Sequence, residues 1–216
     1  LSGQCILVTG ATGAIGQAIS RSLVAEGARV VLHYGRRRDA AEALLACLGG
    51  RGCCLPADLA DPASATALFA AAVQAEGRIT GLVNNAGMTT FSGGANWDAL
   101  DAAIFQRIFE VNVLGTFQMV RACVSHLKAS HGCIVNVSSV AGALGIGSSV
   151  PYIASKGAMN AMTLHLARTL APEVRVNAVC PGMITTRWFV DGVGQENFEK
   201  LKSQYEQTTP LARACT

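Results

Sequence analysis

Short apolar runs alternate with helical patterns along the whole chain. CILVTG (5–10), RVVLHY (29–34), CCLPADL (53–59), GLVNNAG (81–87), CIVNVSS (133–139) and RVNAVCPG (175–182) read as strands. The first, second, fourth and fifth are almost unbroken apolar runs, the pattern of parallel strands buried on both faces. Between them, IGQAISRSLVAEG (15–27) predicts a helix that ends on Gly27, and RDAAEALLACLGG (38–50) one that ends on a glycine pair. DPASATALFAAAVQAEG (61–77) predicts a third, opened by an Asp cap with Pro62 at its first position. Longer helical patterns cover roughly 100–131 and 151–171. Alternating β and α units imply a doubly wound parallel sheet with helices on both faces, a three-layer α/β/α arrangement. Such sheets bind ligands beyond the carboxyl ends of their strands.

Composition narrows the picture. The chain has 216 residues, half of them hydrophobic and 14% charged, enough for one domain with a full core and hardly enough for two. Seventeen basic residues against 14 acidic leave a net charge of +3, too even to suggest a nucleic-acid partner. The one tight basic run, Arg36-Arg37-Arg38, needs a local explanation. Eight cysteines form no C-x-x-C pair, which argues against a metal centre and for reduced thiols in a cytoplasmic protein. No apolar stretch long enough to span a bilayer occurs in these residues, and neither a signal peptide nor a membrane partner is expected. The sequence opens at Leu1 without methionine, and a few leading residues are expected to be absent.

Candidate chemistry gathers at predicted strand ends. VTGATGAIG (8–16) follows the first strand and opens the first helix, with Gly10, Gly13 and Gly16 spaced three apart. Glycines there allow a tight turn and close approach of the backbone to a pyrophosphate, which the helix N-terminus favours; a purely structural glycine turn is the alternative. At the end of the second strand stand Tyr34, Gly35, Arg36 and Arg37, with no carboxylate before Asp39. An acid there would hold ribose hydroxyls, whereas an arginine fork suits a 2′-phosphate, so the run favours NADP(H) over NAD(H). The alternative is a solvated helix start. Tyr152 and Lys156, in SSVPYIASK (148–156), lie four apart and share one face if the stretch is helical. An ammonium beside a phenol would lower the tyrosine's pKa toward working pH and make it a proton donor and acceptor. A core aromatic next to a solvated lysine is the plain alternative.

Taken together, TGATGAIG (9–16), Asp58-Leu59, NNAG (84–87), Asn112 in VNVLG, Ser139, Y-x-x-x-K (152–156) and PGMITT (181–186) resemble the short-chain dehydrogenase/reductase family in its single-domain form. The style is most similar to its 3-oxoacyl carrier-protein reductase branch. The resemblance implies a single Rossmann domain over 1–216 that carries both cofactor and catalytic sites. It implies an NADP(H)-dependent oxidoreductase acting on a carbonyl or alcohol, a 3-oxoacyl thioester being one candidate, and a homo-oligomer, dimer or tetramer. By the same resemblance Tyr152 is the acid/base, Lys156 lowers its pKa and holds the nicotinamide ribose, Ser139 hydrogen-bonds the substrate carbonyl, and Asn112 holds a water that feeds protons toward Lys156. Cofactor contacts would come from Gly10, Thr12, Gly13, Ile15 and Gly16, from Arg36 and Arg37, from Asp58 and Leu59, and from Asn85, Ala86 and Gly87. Pro181, Gly182, Ile184 and Thr186 would complete them, with no metal.

The chain departs from the family pattern in two places. Ala14 stands where a middle glycine is usual, giving the spacing of the family's extended members, and Gly13 supplies no phosphate-binding cation. The chain also stops at LARACT (211–216), where members usually continue through a helix and a strand that often serve oligomer contacts. A catalytically silent dinucleotide sensor and a nucleotide-sugar epimerase are the rival readings. A sensor has no need of Ser139, Tyr152, Lys156 and Asn112 together, and an epimerase usually needs more chain after residue 182. The segment 183–212, with Trp188 and Phe189, is expected to form a substrate lid.

Overall fold

A computed structural model describes residues 1–92 and 96–215. Six parallel strands form one sheet: β1 (Cys5–Val8), β2 (Arg29–Tyr34), β3 (Gly52–Pro56), β4 (Gly81–Asn84), β5 (Cys133–Val137) and β6 (Arg175–Val179). Their order is β3-β2-β1-β4-β5-β6, so the chain leaves one side of β1 and returns on the other. All six expected strands are present; β2 matches its run, and the other five end earlier than theirs because the last residues turn into the loops at the carboxyl end of the sheet.

The pleat explains the continuous apolar runs. Leu7 is in register with Val31 and Leu82, Leu82 with Ile134, and Ile134 with Val176. This row packs against the helices α3 (Pro62–Glu76), α5 (Gly115–Ala129) and α7 (Val150–Thr169) through Leu68, Ala72, Met119, Leu127 and Leu166. The adjacent positions Val8, Leu32 and Val83 point the other way, onto Ile15, Ile19 and Leu44 of α1 (Ala14–Ala25) and α2 (Arg38–Cys47). Both faces are covered, so an alternating pattern has no use in β1, β2 or β4. β6, at one edge of the sheet, is mostly exposed.

Helix ends follow their local chemistry. Asp61 caps α3 by accepting from the backbone N–H of Ala63 and Ser64, with Pro62 in the first turn. The pattern over 100–131 reads as one helix but is three pieces. α4 (Ala102–Phe109), capped by Asp101, runs into a π-helical turn at Glu110–Leu114 before α5 begins. Such a turn shifts the side chains that follow it and is frequent at functional sites. Here it carries Asn112, which is completely buried.

Beyond β5, the short α6 (Ala141–Leu144) leads into α7. After β6 come α8 (Arg187–Val193) and α9 (Gln195–Thr208). This last pair has a small core of its own, with Met183, Phe198 and Ala214 buried and Phe189, Val190, Val193 and Tyr205 packed on them. No described helix is long and apolar enough to cross a membrane.

Candidate active site

The site lies where the strand order reverses, between β1 and β4. Gly10 turns the chain at φ +61°, and a Cβ there would come within 2.9 Å of the Ala86 backbone. Gly16 sits so close beneath the turn that a Cβ would collide with the Gly10 carbonyl. Gly13 precedes α1, whose N-terminus has no side-chain cap and no acid in its first turn. Free helix amides behind a glycine turn fit an anionic pyrophosphate.

Buried hydrogen bonds hold this turn in place. The Thr9 hydroxyl accepts from the backbone N–H of Asn85 (2.9 Å) and Ala86 (3.0 Å). Asn85 in turn donates through Nδ2 to the carbonyls of Thr9 and Gly10. The Asn85 side chain therefore braces the turn, and the backbone at Asn85, Ala86 and Gly87 is what lies next to it. From the other side, Gly10 N–H donates to His33 Nδ1 at 3.0 Å, while His33 Nε2 meets the Ala57 carbonyl at 3.1 Å. With Nδ1 accepting, Nε2 carries the proton, and burial pushes the His33 pKa below its ordinary value. Thr9 and His33 carry no sequence signal of this role, since each reads as a polar residue in or after a strand.

The remaining cofactor candidates fall around that turn. Arg37 donates from Nη2 to the Thr12 carbonyl at 2.9 Å, leaning over the turn, and Arg38 pairs with Glu42. Arg36 is exposed and has no ion pair among the described residues. Asp58, at the end of β3, faces Arg107 of α4 at 3.5 Å. The Leu59 side chain turns into the core, which leaves only its backbone toward the crevice. Ile15, Pro181, Gly182, Ile184 and Thr186 line a cavity of about 310 Å³ together with Ser139 and Tyr152.

Helix α7 and the end of β5 bring the chemistry together. Lys156 is 4% exposed and donates from Nζ to the Val137 carbonyl at 2.9 Å, 5.8 Å from the centre of the Tyr152 ring. Ser139 accepts from Ala141 N–H at 3.1 Å and hydrogen-bonds toward Tyr152. Ser138 is spent on the Lys156 carbonyl. Asn112 accepts from Met88 N–H (2.8 Å) and donates to the Met88 carbonyl and to Ser155 (both 3.0 Å), so its amide protons are committed to bracing α7 against the 88 loop.

One expectation is corrected. The Tyr152 pKa is raised, not lowered: burial pushes it up, and the hydrogen bond from Ser139 opposes this only in part. Burial instead acts on Lys156, pulled down to about 8. The ammonium is turned to a carbonyl rather than to the phenol oxygen, so desolvation wins at both groups.

Known proteins identify the family. Residues 4–196 match the short chain dehydrogenase family, to which the chain belongs. A Streptomyces violaceoruber protein that carries the name of a granaticin polyketide synthase ketoacyl reductase 2 is 40% identical over 208 residues, 96% of this chain and 82% of that one. The 2-(S)-hydroxypropyl-CoM dehydrogenase 3 of Xanthobacter autotrophicus is 39% identical over 99% of this chain and 82% of its own. A short-chain dehydrogenase/reductase crystal structure from Burkholderia xenovorans superposes with a TM-score of 0.87 at 34% identity, covering all of this chain and 87% of that one. The protein is thus a hydride-transferring oxidoreductase of a family that binds a nicotinamide dinucleotide and acts on small molecules.

Proposed function

We propose that the protein is an NADP(H)-dependent reductase of carbonyl compounds, and by reversal an alcohol dehydrogenase. The observation that carries this reading is the meeting of Ser139 and Tyr152 at one cavity beside the glycine turn, with Lys156 Nζ behind them, 5.8 Å from the centre of the Tyr152 ring. When bound, the nicotinamide supplies or accepts the hydride. In the reductive direction, Tyr152 gives its phenolic proton to the carbonyl oxygen as that oxygen gains charge. A raised pKa keeps the phenol protonated and ready for this role. Ser139 donates a hydrogen bond to the same oxygen. The Lys156 ammonium, held on the Val137 carbonyl 5.8 Å from the Tyr152 ring centre, acts on the phenolate left behind only through space, and its remaining protons would hold the nicotinamide ribose. Asn112 holds the 88 loop and α7 together, and a water relayed toward Lys156 would sit on its carbonyl oxygen.

Preference for NADP(H) is supported by Arg36 and Arg37 at a strand end without a carboxylate. Arg37 already lies over the turn, within reach of a group bound there. The chain is read as a homo-oligomer, dimer or tetramer, which a mass measurement in solution tests.

The test of the reaction is Tyr152→Phe. Turnover on the best carbonyl substrate should fall by roughly 10²–10⁴-fold, with NADPH affinity nearly unchanged, because the proton is lost and the ring is kept. Near-normal turnover would overturn the mechanism.

A further inference from the structure

The lining of the cavity says what kind of molecule reaches Tyr152. Among the described residues that form it there is no charged side chain. Two of its serines are already occupied: Ser138 by the Lys156 carbonyl and Ser148 by Thr89 at 2.6 Å. The hydroxyls of Ser139, Tyr152, Thr186 and Tyr205 remain, and the first two belong to the reacting oxygen.

The apolar part of the lining is an aromatic chain with Trp188 at its centre. The Trp188 ring lies 6.0 Å from Tyr152, 5.6 Å from Phe91 and 5.4 Å from Phe189, the last two edge to face. Phe91 also meets Phe189 at 5.8 Å, and its ring rests on the bare backbone of α8 at Gly192, where any Cβ would collide with it. A helix with alanine at that position could not seat Phe91, so the 88–92 loop and α8 interlock and hold Trp188 next to the catalytic tyrosine. Yet Trp188 remains 41% exposed, leaving indole surface for another ring.

We propose that the substrate is an uncharged carbonyl compound whose body is an aromatic ring system seated against Trp188 and Phe91, and that Trp188 sets this specificity. The proposal rests on the reading of Tyr152 and Ser139 as the place where the carbonyl reacts. A carboxylate, phosphate or sulfonate near the carbonyl finds no cation among the lining residues, and burying such a charge unpaired is strongly unfavourable. A polyol finds too few free hydroxyls to replace its water. An aromatic ring meets the edge-to-face partners that it prefers.

Two measurements on one set of compounds test this. The only other tryptophan, Trp97, is 70% exposed, so a Trp97→Phe protein reports on Trp188 alone by fluorescence. Acetophenone and a benzoylacetyl thioester should quench that emission saturably, while pyruvate and fructose at equal concentration should not. In turnover with each of NADPH and NADH, kcat/KM for the aryl ketones should exceed that for pyruvate and fructose at least tenfold. Trp188→Ala should lower the aryl value at least tenfold, chiefly through KM, and Trp188→Phe should restore most of it. Absence of saturable quenching, or pyruvate, fructose or an acetoacetyl thioester turned over as well as the aryl compounds, overturns the proposal. Saturable quenching without turnover by either cofactor sustains the binding specificity and overturns the proposed reaction instead.

Discussion

The glycine turn and the α8–α9 segment border one cavity but are built by different means. At the turn, position comes from backbone and from buried hydrogen bonds: Gly10 at positive φ, Gly16 with no room for a Cβ, Thr9 accepting two amides, and His33 bridging to Ala57. The turn is flanked by strands whose side chains are buried on both faces. At α8 and α9, position comes from side chains, namely the rings of Phe91, Trp188 and Phe189 and a core of three buried residues. α9 is otherwise mostly exposed, and surface ion pairs on it such as Lys200–Glu196 contribute little. The contrast suits a division of labour: an invariant cofactor needs a rigid cradle, and a particular substrate is recognised by replaceable side chains.

If that contrast is sound, changes at the turn should damage stability and cofactor binding together. Gly16→Ala is the most severe. Its methyl meets backbone rather than a movable side chain, so the turn itself must shift. A loss of about 1–3 kcal/mol in denaturant unfolding is expected, with most NADPH affinity gone; a variant of normal stability and affinity would show that the turn yields easily. The double substitution Arg36→Ala with Arg37→Ala should leave stability alone. It removes charge-assisted bonds of about 1.5–3 kcal/mol, so NADPH binding should weaken by roughly tenfold to a hundredfold while NADH binding stays nearly constant. Wild-type protein that binds both cofactors equally in a titration would refute the preference.

On the α8–α9 side the expected effect is smaller and dynamic. Backbone amides of 187–208 should exchange quickly in the free protein, because α8 and α9 bury few residues. They should slow when cofactor and substrate are added together, while β1 and β4 stay protected throughout. Equal protection of α8 and α9 with and without ligand would count against gating. The smallest effect comes from His33. Its folded pKa lies below the ordinary 6.5 because the neutral ring is buried, so the unfolded chain takes up the proton first as pH falls. The stability it contributes is complete above about 6.5 and is lost as pH drops through the folded value. His33→Asn, which keeps an acceptor and a donor but does not titrate, should flatten that part of the melting-temperature profile; an unchanged profile would place the acid sensitivity elsewhere.

The strands, the helices that cover them and the glycine turn were legible in the sequence because each is dictated locally, by an apolar run, a cap or a residue without a Cβ. The same holds for Tyr152 and Lys156, whose spacing on a helix places them side by side wherever that helix goes. What the sequence could not carry is every relation between distant segments. The helix expected over 100–131 is broken by a π-helical turn that carries Asn112, whose side-chain amide is bonded to Met88 and Ser155 from distant segments. His33 joins the glycine turn only because β2 lies beside β1 in register. Tyr152 was expected to be acidified by its neighbour on the helix, but spacing says nothing of burial, and desolvation by surrounding elements raises its pKa. Trp188 and Phe91 are nearly a hundred residues apart, and only the bare backbone at Gly192 lets their rings close on one another. Periodicity and spacing record what a residue does to its own segment; burial and contact depend on which segments the folded sheet sets side by side.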